Sequence, residues 1–224
     1  MDNKRSIVIT GASSGLGKSL YKSFSKEYNV INISRTISDC EKNILNNFND
    51  LSGLKQKLEI NKIKHQLCIL NAGTMGDIAF SSEITDEDFL KSLKINVVAN
   101  KIIIDWSIQN GCSSFIGISS GAATKNYDGW LNYCVSKSAF RSMLLQYQKD
   151  FPNTKFKLIA PGILRTGMNK KIKDQDISKY PDMKKFHQIS AVDPNKASEL
   201  IYKKYEEYLI GEKLEIDLRD EVGW

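Results

Sequence analysis

Short apolar runs alternate with helical patterns along the chain. Ser6-Ile7-Val8-Ile9-Thr10 reads as a buried strand, and Leu16 to Lys26, with Leu16, Leu20, Tyr21 and Phe24 on one side, reads as a helix. Further strands are expected at Asn29 to Ser34, around Asn43 to Phe48, and at Gln66 to Leu70, Ser114 to Ile118, Phe156 to Ala160 and Leu214 to Leu218. Helices fall between them at Leu51 to Ile60, Thr85 to about Gln109, Leu131 to Asp150, and from Asp193-Pro194 to about Leu209. Thr85-Asp86-Glu87-Asp88 supplies a cap and an acidic first turn for the second of these, and Gly111 ends it. Strands that are apolar almost throughout, each followed by a helix, predict a parallel sheet covered on both faces. The expected fold class is α/β, a doubly wound parallel sheet, in a single domain over residues 1–224 without repeats or low-complexity linkers.

Composition narrows the functions. At 224 residues and 41% hydrophobic the chain is long enough for one substantial core. Its net charge of +6 comes from lysines scattered along the chain, with no basic run and no basic-aromatic interleaving, so nucleic acid is not an expected ligand. No window approaches the length of apolar sequence that a membrane span requires, and the first residues do not resemble a signal peptide; a cytoplasmic protein with no membrane partner is expected. Four well-separated cysteines and two histidines offer neither a disulfide framework nor a metal set.

Two stretches concentrate the chemistry. Between the first strand and helix, Thr10-Gly11-Ala12-Ser13-Ser14-Gly15-Leu16-Gly17 sets three glycines where a tight turn would let a pyrophosphate approach the amides of a helix N-terminus. Its Gly-x-x-x-Gly-x-Gly spacing differs from the Gly-x-Gly-x-x-Gly dinucleotide fingerprint, and a glycine-rich turn without a ligand is the alternative. In the second stretch, Tyr133 and Lys137 stand one helical turn apart, and a nearby ammonium lowers the pKa of a phenol, making it a usable acid or base. With lysine this common, roughly one Tyr-x-x-x-Lys arises by chance. A second one, Tyr180 to Lys184, has Pro181 inside it and nothing catalytic upstream, whereas Ser119-Ser120 and Asn96 precede Tyr133.

These blocks together resemble the short-chain dehydrogenase/reductase family in its compact form. The likeness rests on Thr10 to Gly17, on Asn71-Ala72-Gly73 after the fourth strand, on Ser120 with Tyr133 and Lys137, and on Pro161-Gly162 with Thr166, in that order. It implies a seven-stranded Rossmann-like sheet, a nicotinamide cofactor and hydride transfer between it and a small carbonyl or alcohol substrate. Gly11, Ser13, Ser14, Gly15, Leu16 and Gly17 would then hold the pyrophosphate, Asn71, Ala72 and Gly73 would follow along the cofactor, and Pro161, Gly162, Ile163 and Thr166 would close over the nicotinamide amide. Asp50-Leu51 resembles the pair that contacts the adenine. Catalysis would fall to Asn96, holding a water that links Lys137 to solvent; to Ser120, orienting the carbonyl; to Tyr133 as proton donor; and to Lys137, which also bonds the cofactor ribose. Each residue alone is better explained by packing, capping, turn formation or solvation; their coincidence favours catalysis.

Arg35 points to the cofactor. It ends the second strand eighteen residues after Gly17, where an acidic residue would bond the ribose hydroxyls of NAD and a basic one would take a 2′-phosphate. A guanidinium grips phosphate through two hydrogen bonds, and Ser34 and Thr36 offer hydroxyls, so NADP is expected over NAD. The weakly patterned segment 167–192 is the expected substrate lid. Its excess of lysine would suit an anionic substrate such as a nucleotide-linked sugar or a phosphopantetheine thioester, against the plainer account of a solvated surface. Trp130, Leu131 and Met75 are candidates for an apolar pocket, and Cys134 for packing. A homodimer through the helices of Asn96 to Trp106 and Tyr133 to Gln146, or a tetramer, is what the resemblance implies. Its usual glycine-rich C-terminal finish is missing here. Two other functions stay open: a redox sensor binding a nicotinamide dinucleotide without turnover, and a nucleotide-sugar lyase or epimerase using the same Tyr-x-x-x-Lys.

Overall fold

The apolar runs become strands of one sheet because both of their faces are covered. A computed structural model describes residues 4–223. Its strands are β1 Ser6–Thr10, β2 Asn29–Ser34, β3 Lys42–Leu45, β4 Leu67–Leu70, β5 Ser114–Ile118, β6 Lys155–Ala160 and β7 Glu215–Asp217. Their order is β3-β2-β1-β4-β5-β6-β7, and every pairing is parallel. The helices are α1 Gly15–Phe24, α2 Leu51–Ile60, α3 Asp86–Leu93, α4 Ala99–Gln109, α5 Leu131–Asp150, α6 Gly167–Lys173, α7 Met183–Gln188, α8 Pro194–Ile210 and α9 Leu218–Val222.

The strand period of two divides the core. Ile7 and Ile9 of β1 meet Leu16, Leu20 and Phe24 of α1 and Ile201 of α8 on one face, while Val8 meets Leu54 of α2, Ile103 of α4 and Phe140 of α5 on the other. All three β1 side chains are fully buried, each contributing roughly 1.5–3 kcal/mol relative to exposure. A third cluster, with Trp130, Tyr133, Ile172, Met183 and Phe186, packs beneath α6 and α7. Strand order reverses between β1 and β4, which opens a crevice at the carboxyl ends of the strands.

Three elements differ from expectation. The helix expected from Thr85 to Gln109 is interrupted by a π-helical turn, Lys94–Val98, with Asn96 buried at its middle. The third strand stops at Leu45 instead of running to Phe48, and Asp50 then caps α2 by accepting a hydrogen bond from the Gly53 N–H at 2.9 Å. The last strand ends at Asp217, whose side chain caps α9, so Arg219 lies on a helix rather than just past a strand.

Candidate active site

The glycine turn is held by hydrogen bonds from the strands beside it. The Thr10 hydroxyl accepts from the backbone N–H of Asn71 and of Ala72, both at 2.9 Å, and Asn71 Nδ2 donates to the Thr10 carbonyl at 2.9 Å. On the other side, buried Asn32 accepts from the Ala12 N–H at 3.0 Å and donates to the Ser34 hydroxyl at 2.9 Å and Asn43 Oδ1 at 2.8 Å. Ser34 passes its own proton to the Thr36 carbonyl at 2.6 Å. Its hydroxyl is therefore committed inward, where the sequence suggested a phosphate ligand. Arg35 takes part in no ion pair found among the described residues.

The carboxyl ends of the strands open into a cleft of about 910 Å³, within the range of small-molecule sites. Gly11, Ser13, Ser14, Gly15 and Leu16 line it, as do Ser34, Arg35 and Thr36, Asn71, Ala72 and Gly73, Ser120, Tyr133 and Lys137, and Pro161, Gly162, Ile163 and Thr166. Gly17, Asp50, Leu51 and Asn96 do not. Asp50 and Leu51 belong to the start of α2, and Asn47 and Phe48, just after the shortened β3, reach the cleft in their place. Among the residues suggested for an apolar pocket, Trp130 lines the cleft, whereas Leu131 and Met75 do not; Cys134 is buried in the cluster with Ile172 and Met183.

Gly17 has a packing role. A Cβ there would stand 2.1 Å from the Gly11 carbonyl oxygen and 2.5 Å from Asn71 Nδ2, so backbone would have to move. Gly17→Ala is expected to destabilise the fold by at least about 1–3 kcal/mol, read as a lower urea midpoint with an unchanged slope. A midpoint equal to wild type would mean that the turn is looser than this contact implies.

Asn96 acts on the neighbouring backbone. Its Oδ1 accepts from the Thr74 N–H at 2.7 Å, and its Nδ2 donates to the Thr74 carbonyl at 2.8 Å and to Ser136 Oγ at 2.8 Å. The Asn96 carbonyl accepts from Asn100 Nδ2 at 2.9 Å. It thus joins the Asn71-Ala72-Gly73 turn to the residue preceding Lys137, and the π turn is the backbone form that admits this geometry.

Ser120, Tyr133 and Lys137 meet on one wall. Ser120 Oγ accepts from the Ala122 N–H at 3.2 Å and faces the Tyr133 phenol. Lys137 is buried, its Nζ 2.8 Å from the Ile118 carbonyl at the end of β5 and 5.8 Å from the centre of the Tyr133 ring. Burial lowers the Lys137 amine to a pKa of about 8. The phenol departs from the sequence expectation: burial raises its pKa, and the Ser120 hydroxyl opposes that shift. Lys137 turns toward a backbone carbonyl, and desolvation outweighs any help its charge gives the phenolate.

The sequence also missed residues that line the far end of the cleft, among them Lys125, Tyr127, Phe186 and Arg219. None belongs to a motif; the loop after β5 and helices α7 and α9 bring them together. Of the six lysines of segment 167–192 (Lys170, Lys171, Lys173, Lys179, Lys184 and Lys185), Lys171 pairs with Asp77 at 3.3 Å and Lys179 with Glu83 at 3.2 Å, and only Lys185 lines the cleft.

The family model described as short chain dehydrogenase matches residues 53–177. A benzil reductase ((S)-benzoin forming) of Bacillus cereus is 25% identical over 214 residues, covering 81% of this chain and 84% of the relative. A 3-oxoacyl-[acyl-carrier-protein] reductase of Rickettsia prowazekii is 28% identical over 184 residues, covering 75% of this chain and 76% of the relative. Among solved structures, a short-chain dehydrogenase/reductase from Saccharomyces cerevisiae superposes with a TM-score of 0.81 at 21% identity, covering 95% of each chain.

Proposed function

Because the chain belongs to the short-chain dehydrogenase family, we propose that it is an NADP(H)-dependent oxidoreductase that interconverts a small carbonyl compound and its alcohol, with Tyr133 as the acid/base. The reading rests on one observation: Ser120, Tyr133 and Lys137 share a cleft with an open glycine turn.

The turn fits a dinucleotide. Gly11 and Gly15 line the cleft with φ of 73° and 53°, a region that side-chain-bearing residues avoid. No side chain caps α1 and its first turn holds no acidic residue, which leaves its leading amides for an anion. When bound, the nicotinamide supplies or accepts the hydride. Arg35 would hold the 2′-phosphate that distinguishes NADP, since a guanidinium matches phosphate through two hydrogen bonds.

In reduction, Ser120 donates a hydrogen bond that orients the substrate carbonyl, and Tyr133 gives its proton to the oxygen as negative charge develops there. Burial keeps the phenol protonated through neutral pH, which is the state a proton donor needs. Lys137 contributes positive charge beside that oxygen and a donor for the cofactor ribose. Asn96 is a positioning residue, fixing the turn at Thr74 against the helix that carries Lys137. The segment 167–192 would cover the bound substrate.

The test is NADPH and NADH turnover over a panel of carbonyl compounds. Wild type should prefer NADPH, and Arg35→Asp should lose about tenfold to a hundredfold of kcat/KM with NADPH while keeping its rate with NADH. A wild-type preference for NADH would overturn the cofactor assignment. NADPH binding without turnover of any compound would favour a redox sensor.

A further inference from the structure

The charge of the cleft is one-sided. Arg35, Lys91, Lys125, Lys137, Lys185 and Arg219 line it, and among its described lining residues there is no Asp or Glu. A cofactor phosphate accounts for Arg35, which follows β2. Arg219 follows β7, five strand spacings away in the sheet order, or about 24 Å at the usual interval. Charges so far apart cannot serve the same phosphate, so those at the far end call for another anion.

Lys125, Lys185 and Arg219 share the cleft lining with Tyr127. Lys185 Nζ lies 4.3 Å from the centre of its ring. Burial raises the Tyr127 phenol, and the charges of Lys185 and Arg219 oppose that shift. The Tyr127 hydroxyl would be 3.4 Å from a Cβ on Gly121, the residue after Ser120, so the Tyr127 ring with Lys185 over it stands beside the place where a carbonyl would be oriented. Lys125 acts on Asp217, the carboxylate paired with Arg219. Lys185 is paired with Asp182 at 2.9 Å, and Lys125 takes part in no ion pair found among the described residues. The Lys185 pair is exposed and weak, so a ligand can compete for that cation, whereas Arg219 is held through Nε and Nη2 by both Asp217 oxygens.

Hydrogen-bond donors are in surplus at the same site. Trp130 and Asn169 both line the cleft, and the Trp130 indole N–H and Asn169 Nδ2 are buried without a hydrogen-bond partner among the described residues. Buried donors are normally satisfied, so the two mark unspent polarity in this wall, although both atoms are closed to solvent. The wall beside them is aromatic: the Trp130 ring lies 4.8 Å from that of Tyr127 and stacks on that of Phe186 at 4.9 Å.

We infer that the substrate is a carbonyl compound with a planar apolar body and an oxyanion, carboxylate or phosphate, which docks against Lys125, Lys185 and Arg219 with its apolar body on the Tyr127-Trp130-Phe186 wall. This rests on the carbonyl-reductase reading above and adds a specificity that the family motifs do not carry. Neutral aryl ketones would occupy the wall and leave the cations unused.

The experiment compares 4-carboxybenzaldehyde, 4-formylphenyl phosphate and the neutral methyl 4-formylbenzoate at low ionic strength. One or both anions should exceed the ester in kcat/KM by about tenfold or more, as expected for a charge-assisted contact, and whichever anion leads identifies the natural group. Lys125→Gln with Arg219→Gln should remove that advantage, whereas Lys184→Gln, on the exposed side of α7, should keep it. Calorimetric titration with 4-(hydroxymethyl)benzoate and its methyl ester reads the same preference without turnover. Tighter binding of the acid, with no aldehyde reduced, would sink the reductase reading and keep the anion site. Equal binding of acid and ester, or an ester reduced as well as both anions, would overturn the inference.

Discussion

Tyr133→Phe is expected to lower kcat for carbonyl reduction by about 10²- to 10⁴-fold, the usual contribution of a positioned general acid. The substitution removes one oxygen and keeps the ring, which is nearly buried and meets Trp130 edge-on at 5.8 Å. NADPH affinity, read by fluorescence titration, should therefore hardly change, and the fold should survive. Lost rate with retained binding is the signature of an interaction made mainly in the transition state. The pH dependence follows from the same group. Reduction needs the protonated phenol, which burial maintains to higher pH than usual, while alcohol oxidation needs the phenolate and should reach its optimum at a more alkaline pH. Turnover persisting in the Phe variant would remove Tyr133 from the mechanism.

The fold was legible where the physics is local. Ile7-Val8-Ile9 and Leu67-Cys68-Ile69-Leu70 are apolar on both faces, which suits only a sheet covered on two sides, and the parallel order follows from the helices between such runs. The glycine turn and Tyr133-Lys137 were legible because short spacing on a strand, turn or helix fixes where side chains point. Asp50 shows how a local signal can be misread: an Asp three residues before a Gly N–H and ahead of Leu54 and Leu58 is a helix cap, and its capping bond holds it away from the cleft. A similar signal was available at Asp217, which is followed by Asp220 and Glu221 in the first turn of α9.

What stayed hidden is set by contacts distant in sequence. Asn96, at the middle of the π turn, bonds the backbone of Thr74, twenty-two residues earlier, and nothing in the residues from Lys94 to Val98 signals that turn. The cations at the far end come from the loop after β5, from α7 and from α9, and only the assembled sheet brings those segments to one mouth. The acidity of Tyr133 was misjudged for a related reason: sequence gives the spacing of an ammonium and a phenol, whereas their burial, which dominates the outcome, is tertiary.

Lys137 carries a stability penalty that should be measurable against Lys137→Met. Its amine titrates at about 8 in the folded protein, against an ordinary value of 10.5, because burial disfavours the charged form. Between these two pH values the unfolded chain binds a proton that the folded chain does not, so folding stability rises with pH through that window; below about pH 8 the full cost of burying the charge is present. The shift corresponds to about 3 kcal/mol, with the bond to the Ile118 carbonyl as partial compensation. Methionine has a similar length and no charge, so the variant lacks this titration while the other ionisable groups remain in both proteins. Subtracting its unfolding free energy from that of wild type, by urea titration at a series of pH values, should give a difference that climbs by about 3 kcal/mol from pH 7.5 to 10.5. Reduction should fall by about 10²-fold or more in the same variant, because the charge beside the reacting oxygen is gone. A residue that weakens the fold at neutral pH while sustaining the reaction is expected at an active site rather than in a structural core. A difference curve flat across that range would show the amine to be solvated, and the buried cationic wall assigned to this cleft would then be wrong.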